Sequence, residues 1–320
     1  MKDFTHTNAQ SVAQAIPLLD FYARPLAGGT DLLPLMRQGV WEPDHLVNLK
    51  QIDGLRFIHD NADGLVIGAL TTLDELDRSP VVRERYTVLA EAAHSAASPQ
   101  LRNMATLGGN LLQQVRCWYY RGPFDCWLKG GEVCQARDGE NAYHAVLDQS
   151  PCVAVHPSDP PTALLALDAR LYVTGPQGER SIAIADFLQP PTDARRVMHT
   201  LALNEVITHI VIPATVTHSV YLKAMERATW AYALVSLAAA AEMVDGVLHN
   251  PRLVLGGVAN VPLRLDAVEQ LIAAQPLTDE LIRAAGQLAT ANMEPLAHNR
   301  YKLLLARNLV TQALRDLSHT

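Results

Sequence analysis

All four cysteines of this 320-residue chain fall between Cys117 and Cys152, and none occurs anywhere else. Cysteines serving only as small core residues would be scattered, so this window needs a local explanation. The spacing is Cys117-x8-Cys126-x7-Cys134-x17-Cys152. Disulfides would require an oxidising compartment. A structural zinc site usually brings Cys-x2–4-Cys knuckles, and none is present. Four thiolates on a long wrapped loop suit a 4Fe–4S cluster, which is bulkier than one ion and tolerates wide spacing. The missing knuckles favour the cluster, with zinc and disulfides as the alternatives. Trp118, Tyr119, Tyr120, Phe124, Trp127 and Tyr143 share the window, as rings that could exclude water from a cluster or give the insertion a small core of its own. Arg116, Arg121, Lys129 and Arg137 could offset the thiolate charge.

Two paired-glycine turns precede the cysteine window. Leu26-Ala27-Gly28-Gly29-Thr30-Asp31-Leu32 follows an extended stretch and opens a helical pattern. Adjacent glycines let the backbone approach a ligand, successive N–H groups make an anion nest, and Thr30 or Asp31 is placed to cap the helix. Thr106-Leu107-Gly108-Gly109-Asn110 has the same chemistry. Either turn alone reads as an ordinary tight turn; two together can grip one pyrophosphate. No Gly-x-Gly-x-x-Gly follows a strand and no P-loop motif occurs, which argues against those nucleotide sites.

The net charge of −7 and pI near 5.9 disfavour a nucleic-acid surface. The longest apolar stretch, Ala231 to Ala241, contains Tyr232 and Ser236 and is too short for a bilayer. No apolar core follows Met1-Lys2-Asp3, so no secretory signal is read. The expectation is a soluble chain that binds neither membrane nor nucleic acid. Regular elements are expected as a helix around Val12–Leu19 weakened by Pro17, strands at His45–Leu49, Leu65–Leu70, Leu171–Thr174 and His209–Ile212, and a helix entered at Thr72 with Glu75 completing a capping box. A small-residue helix is expected at Leu89–Ser98. The apolar run Ala233–Met243, the turn pair Asp245-Gly246 and Leu253–Val258 suggest a hairpin. Leu303, Ala306, Val310, Ala313, Leu314 and Leu317 make one stripe of a terminal helix. The mixed order of elements predicts an α+β fold.

Together these motifs resemble the FAD-binding subunits of molybdenum hydroxylases. The two glycine turns look like that family's FAD motifs. His156-Pro157-Ser158-Asp159 is similar to its Ser-Asp flavin contact. Lys223-Ala224-Met225-Glu226-Arg227, Ala233-Leu234-Val235-Ser236 and Leu255-Gly256-Gly257-Val258-Ala259 look like its C-terminal domain. The four-cysteine insertion resembles the branch that includes aldehyde oxidoreductase and 4-hydroxybenzoyl-CoA reductase flavin subunits, where it holds an extra 4Fe–4S cluster.

The resemblance implies two FAD-binding subdomains, 1–55 and 56–215 with the insertion at about 112–153, and a smaller α+β domain at 216–320. It implies that Leu26, Ala27, Gly28, Gly29, Thr30, Asp31, Leu32, Thr106, Gly108, Gly109 and Asn110 hold the pyrophosphate. Ser158 and Asp159 would meet sugar hydroxyls, Lys223 would place charge near the flavin, and His156 would touch flavin or cap its turn. Cys117, Cys126, Cys134 and Cys152 would ligate the cluster. The implied role is an electron relay with a molybdenum-cofactor large subunit, a 2Fe–2S small subunit and an external acceptor. No catalytic residue is expected in this chain. The implied compartment is cytoplasmic, or periplasmic by co-export with a twin-arginine partner. A self-contained FAD oxidase and a zinc-stabilised binding module are the competing classes.

Overall fold

The chain's three sheets are described from a computed structural model covering residues 1–214, 218–244 and 247–319. The first sheet is parallel, in the order β1 (Thr5–Asn8), β3 (His45–Asn48), β2 (Ala23–Leu26). Parallel neighbours need a crossover, and Ser11 starts one by accepting from Gln14 N at 3.1 Å at the head of the helix Val12–Ala15. Pro17 does not destroy the expected helix but converts its end into the 3-10 turn Ile16–Leu18. Strand β2 runs directly into the Gly28-Gly29 turn and the helix Leu32–Arg37. That turn therefore sits at the carboxyl end of a parallel strand, the usual ligand-bearing edge of such sheets.

The second sheet is antiparallel, in the order β4 (Ile58–Asn61), β5 (Gly64–Gly68), β8 (Val206–Pro213), β6 (Arg170–Gly175), β7 (Gly178–Ala183). The capping box forms as read: Thr72 Oγ1 accepts from Glu75 N at 3.2 Å, and Glu75 accepts from Thr72 N at 2.8 Å. The helix expected to reach Ser98 runs Thr87–Ser95 instead. Pro99 holds Ser98 extended, Ala97 takes φ +51, and Ser98 caps a new short helix, Pro99–Arg102. Leu65, Ile67, Leu89, Leu164, Leu171 and Ile210 belong to the core between this sheet and its helices.

The third sheet is antiparallel, β9 (His218–Ala224), β10 (Val235–Val244), β11 (Val247–Gly256), β12 (Leu263–Arg264), in the order β12-β11-β10-β9. Strands β10 and β11 pair as the expected hairpin, while its turn pair Asp245-Gly246 lies outside the described residues. Residues of β10 are buried on both faces. Ala238 and Ala240 join the core of the second sheet, whereas Val235, Leu237, Ala239 and Ala241 face Ala306, Val310 and Leu314 of the helix Tyr301–His319. Burial on both sides explains a continuous apolar run in place of alternation. The mixed α+β architecture expected from the sequence is the one observed.

Residues 112–153 wind irregularly around one helical turn, Trp118–Arg121, and one 3-10 turn, Trp127–Lys129. Val115, Tyr120, Trp127 and Leu128 pack there with Leu35 and Met198 as a separate apolar cluster.

Candidate functional site

A cleft of about 200 Å³ opens where the first two sheets meet. The two glycine turns form one wall by packing backbone against backbone. A Cβ on Gly28 would lie 1.8 Å from Met104 O, so only glycine permits that approach. Gly29 takes φ +72, a left-handed turn that aims the chain into the helix Leu32–Arg37.

The two turns differ in what they offer a ligand. Among the described residues, the N–H groups of Gly28, Gly29, Thr30 and Asp31 have no protein acceptor, leaving a nest for an anion. In the second turn Gly108 N donates to Ala69 O at 2.9 Å, Gly109 N to Thr106 Oγ1 at 3.2 Å, and Asn110 N to Thr106 O at 2.8 Å. Those amides hold the wall together, and the second turn presents side chains instead. Asn110 Oδ1 accepts a short hydrogen bond from the Ser158 hydroxyl, and both residues line the cleft.

Asp31 occupies the helix N-terminus but makes no side-chain cap. Its carboxylate takes Arg121 Nη2 at 2.7 Å, Arg116 Nη2 at 2.9 Å and the Gln114 N–H at 2.8 Å. Thus Arg116 and Arg121, expected near the thiolates, neutralise Asp31; in sequence nothing marked that partner, more than eighty positions away. Arg116 also stacks over the Tyr232 ring at 5.1 Å, and its Nε is buried with no partner. Free amides, a guanidinium with a spare donor, and the flanking rings of Trp41, Trp230 and Tyr232 fit an anionic, aromatic ligand such as a flavin dinucleotide. Those three rings were not singled out for the site, because isolated aromatics outside any motif carry no chemical signature.

Of the expected cofactor residues, Ala27, Gly28, Gly29, Thr30, Asp31, Leu32, Thr106, Gly108, Gly109, Asn110, Ser158 and Asp159 line the cleft. Leu26, His156 and Lys223 do not line it. Leu26 ends β2 opposite Asn48. His156 is buried behind the wall, its Nδ1 accepting from Ser158 N at 3.4 Å and its Nε2 donating to Leu111 O at 3.3 Å. Burial pushes that imidazole down to about 4, so it is a neutral strut for the 156–159 turn. Lys223 Nζ donates to Asp159 Oδ2 at 2.8 Å and to Ser95 O at 2.9 Å, and Tyr221 donates its hydroxyl to Asp159 Oδ1 at 2.7 Å. Burial pushes the Asp159 carboxyl up, and these two donors oppose it. Lys223 therefore meets the cleft only indirectly, as the ion-pair partner of the lining residue Asp159.

The four cysteines are free thiols in one buried-to-half-buried group. The neighbouring Cys134 and Cys152 thiols act on one another in opposite directions, with Cys134 drawn down to about 6 and Cys152 pushed far up. Burial pushes Cys117 up to about 11, and charge on Cys126 and Cys134 adds to it. Ala154 N donates to Cys152 Sγ at 3.4 Å. Among the described residues no three His, Cys, Asp or Glu side chains are grouped to hold a single metal ion, so the expected four-cysteine metal site is not preformed as one. The donor set is four thiols, the chemistry a 4Fe–4S cluster takes. Tyr120 and Trp127 are buried against the sulfurs, whereas Trp118 and Phe124 are exposed and screen less than expected.

Residues 2–215 match the family described as the FAD binding domain in molybdopterin dehydrogenase. The chain belongs to that family. Residues 220–317 match the CO dehydrogenase flavoprotein C-terminal domain. The aldehyde oxidoreductase FAD-binding subunit of Escherichia coli is 36% identical, with 99% of this chain and 98% of that protein covered. Among solved structures, a carbon monoxide dehydrogenase chain from Hydrogenophaga pseudoflava superposes with a TM-score of 0.78 at 28% identity, covering 98% and 97% of the two chains. One from Oligotropha carboxidovorans gives 0.79 at 25% identity, covering 99% and 98%. The chain is therefore an FAD-binding oxidoreductase subunit of the molybdenum hydroxylase type. No helix among the described residues is long and apolar enough to cross a membrane.

Proposed function

We propose that this flavin subunit relays electrons between FAD in the cleft and a 4Fe–4S cluster on Cys117, Cys126, Cys134 and Cys152, within a complex whose large subunit holds molybdenum and whose small subunit holds 2Fe–2S clusters. FAD exchanges electrons singly or in pairs, so it links one-electron clusters to a two-electron acceptor. The carrying observation is Asp31. It belongs to the glycine turn with the free amides, yet its carboxylate partners all come from the segment leading into and through the first cysteine. The dinucleotide loop and the cysteine segment are thus built as one unit.

In this reading residues 1–55 and 56–215 are the FAD-binding subdomains and 216–320 the C-terminal domain. Gly28 to Asp31 and Arg116 hold the pyrophosphate, Ser158 and Asp159 meet sugar hydroxyls, and Lys223 orients Asp159. Substrate chemistry belongs to the large subunit, and the acceptor is external. The compartment is cytoplasmic, or periplasmic if a twin-arginine partner exports the folded complex.

The test is anaerobic purification followed by absorption spectroscopy with iron and FAD quantitation. About four irons and one FAD per chain are expected. FAD with zinc in place of iron would remove the cluster while leaving the flavin site. Aldehyde or thioester turnover by the isolated chain would overturn the need for a molybdenum partner.

A further inference from the structure

Among the described residues, Cys117 is the cysteine with a histidine at hydrogen-bond distance. The buried His144 ring places Nε2 3.2 Å from Cys117 Sγ. Its other nitrogen, Nδ1, is buried with no partner. The backbone around the ring is clamped. His144 N donates to Asn141 O at 3.0 Å, His144 O accepts from Asn299 Nδ2 at 3.2 Å, and the preceding carbonyl of Tyr143 accepts from the buried Lys302 ammonium at 3.0 Å.

The orphaned Nδ1 decides the tautomer. A proton on Nδ1 would leave a buried N–H donor unmade, whereas a proton on Nε2 leaves only an unused acceptor and directs the N–H at sulfur. That arrangement is complete when the sulfur is an acceptor, as a thiolate bound to iron is. Hydrogen bonds to ligating sulfurs favour the more negative, reduced cluster and so raise its potential. We infer that His144 is a positioning residue that donates Nε2–H to the Cys117 thiolate and sets how electrons divide between the cluster and the flavin. The inference rests on the cluster reading above.

The test uses the full chain with its cofactors, comparing wild type with His144→Phe and His144→Gln by EPR-monitored redox titration and metal analysis. H144F should keep its iron and FAD while the one-electron partition moves about tenfold toward the flavin, a fall of about 59 mV in cluster potential, with the FAD couple unmoved. H144Q, which returns an amide N–H toward the sulfur, should recover most of the shift. A fully loaded H144F with an unchanged cluster potential overturns the inference and leaves the cluster standing. Wild-type protein without iron overturns the cluster reading itself. If H144F does not load, the wild-type reduced cluster labelled with 15N-histidine decides: a resolved nitrogen coupling by pulsed EPR supports the contact, and its absence overturns it.

Discussion

Replacing Asp31 by Asn tests whether the flavin loop and the cysteine segment are energetically one unit. The carboxylate accepts from two guanidiniums, at 2.7 and 2.9 Å, and from the Gln114 N–H at 2.8 Å. An amide supplies one oxygen for these three donors and turns an N–H₂ toward the others. Arg121 is 9% exposed at its side chain, so water replaces little of what it loses, while Arg116 at 27% recovers more. Breaking a buried pair from one side costs about 3–5 kcal/mol. Retention of one acceptor and partial hydration of Arg116 reduce this to about 2–3 kcal/mol. If that energy orders the loop for its ligand, FAD affinity falls roughly 30- to 150-fold. Titration of the deflavinated variant by flavin fluorescence or calorimetry measures the loss, and iron analysis of the same preparation should show the cysteine segment weakened too. FAD affinity within twofold of wild type, with full iron, would refute the coupling.

Gly28→Ala should cost about 3 kcal/mol or more and release FAD, because its Cβ meets the Met104 carbonyl, whereas Gly109→Ala meets only the Thr106 hydroxyl at 2.9 Å and should cost about 1 kcal/mol; thermal melts with FAD content separate them. Lys223→Met leaves the Asp159 carboxylate buried beside Tyr221 alone and should destabilise by about 3–5 kcal/mol, and adding Asp159→Asn should restore much of it in a urea double-mutant cycle. His199 is held down to about 4 by burial and stacks at 6.0 Å on Phe187, so the fold prefers it neutral. Its contribution is complete above the unfolded value of 6.5 and is lost as pH falls from there toward 4. His199→Phe should therefore flatten the stability profile between pH 6.5 and 4 by up to about 1.4 kcal/mol per pH unit. Urea midpoints across that window check it, and an unaltered slope would mean the ring already titrates normally.

Local chemistry was legible and long-range pairing was not. Thr72 and Glu75 lie three residues apart, so their capping box is written in the chain, and the terminal-helix stripe needs only helical spacing. The glycine turns announced close backbone approach, yet that Gly108 N is taken while the first turn's amides stay free depended on Ala69, just past the end of β5. Asp31 read as a cap because its position is a cap position; two arginines brought in by the cysteine segment drew its carboxylate elsewhere. Lys223 and Asp159 were each recognised by motif, but their mutual ion pair spans 64 positions and moves the lysine out of the cleft wall. Trp41, Trp230 and Tyr232 carried no signal, since an aromatic becomes a binding surface only when the fold sets it beside other groups.

The double burial of β10 bears on how such subunits can be recombined. Ala238 and Ala240 belong to the same interior as Leu164 and Leu89, while their neighbours face the terminal helix. A chimera spliced near residue 215 would join two halves of one shared interior from different parents. Its alanines would have to match the foreign Pro160–Ala166 and Thr87–Ser95 helices in volume to within a methylene or so. Exchange among relatives should thus succeed for whole chains far more readily than for the C-terminal sheet alone.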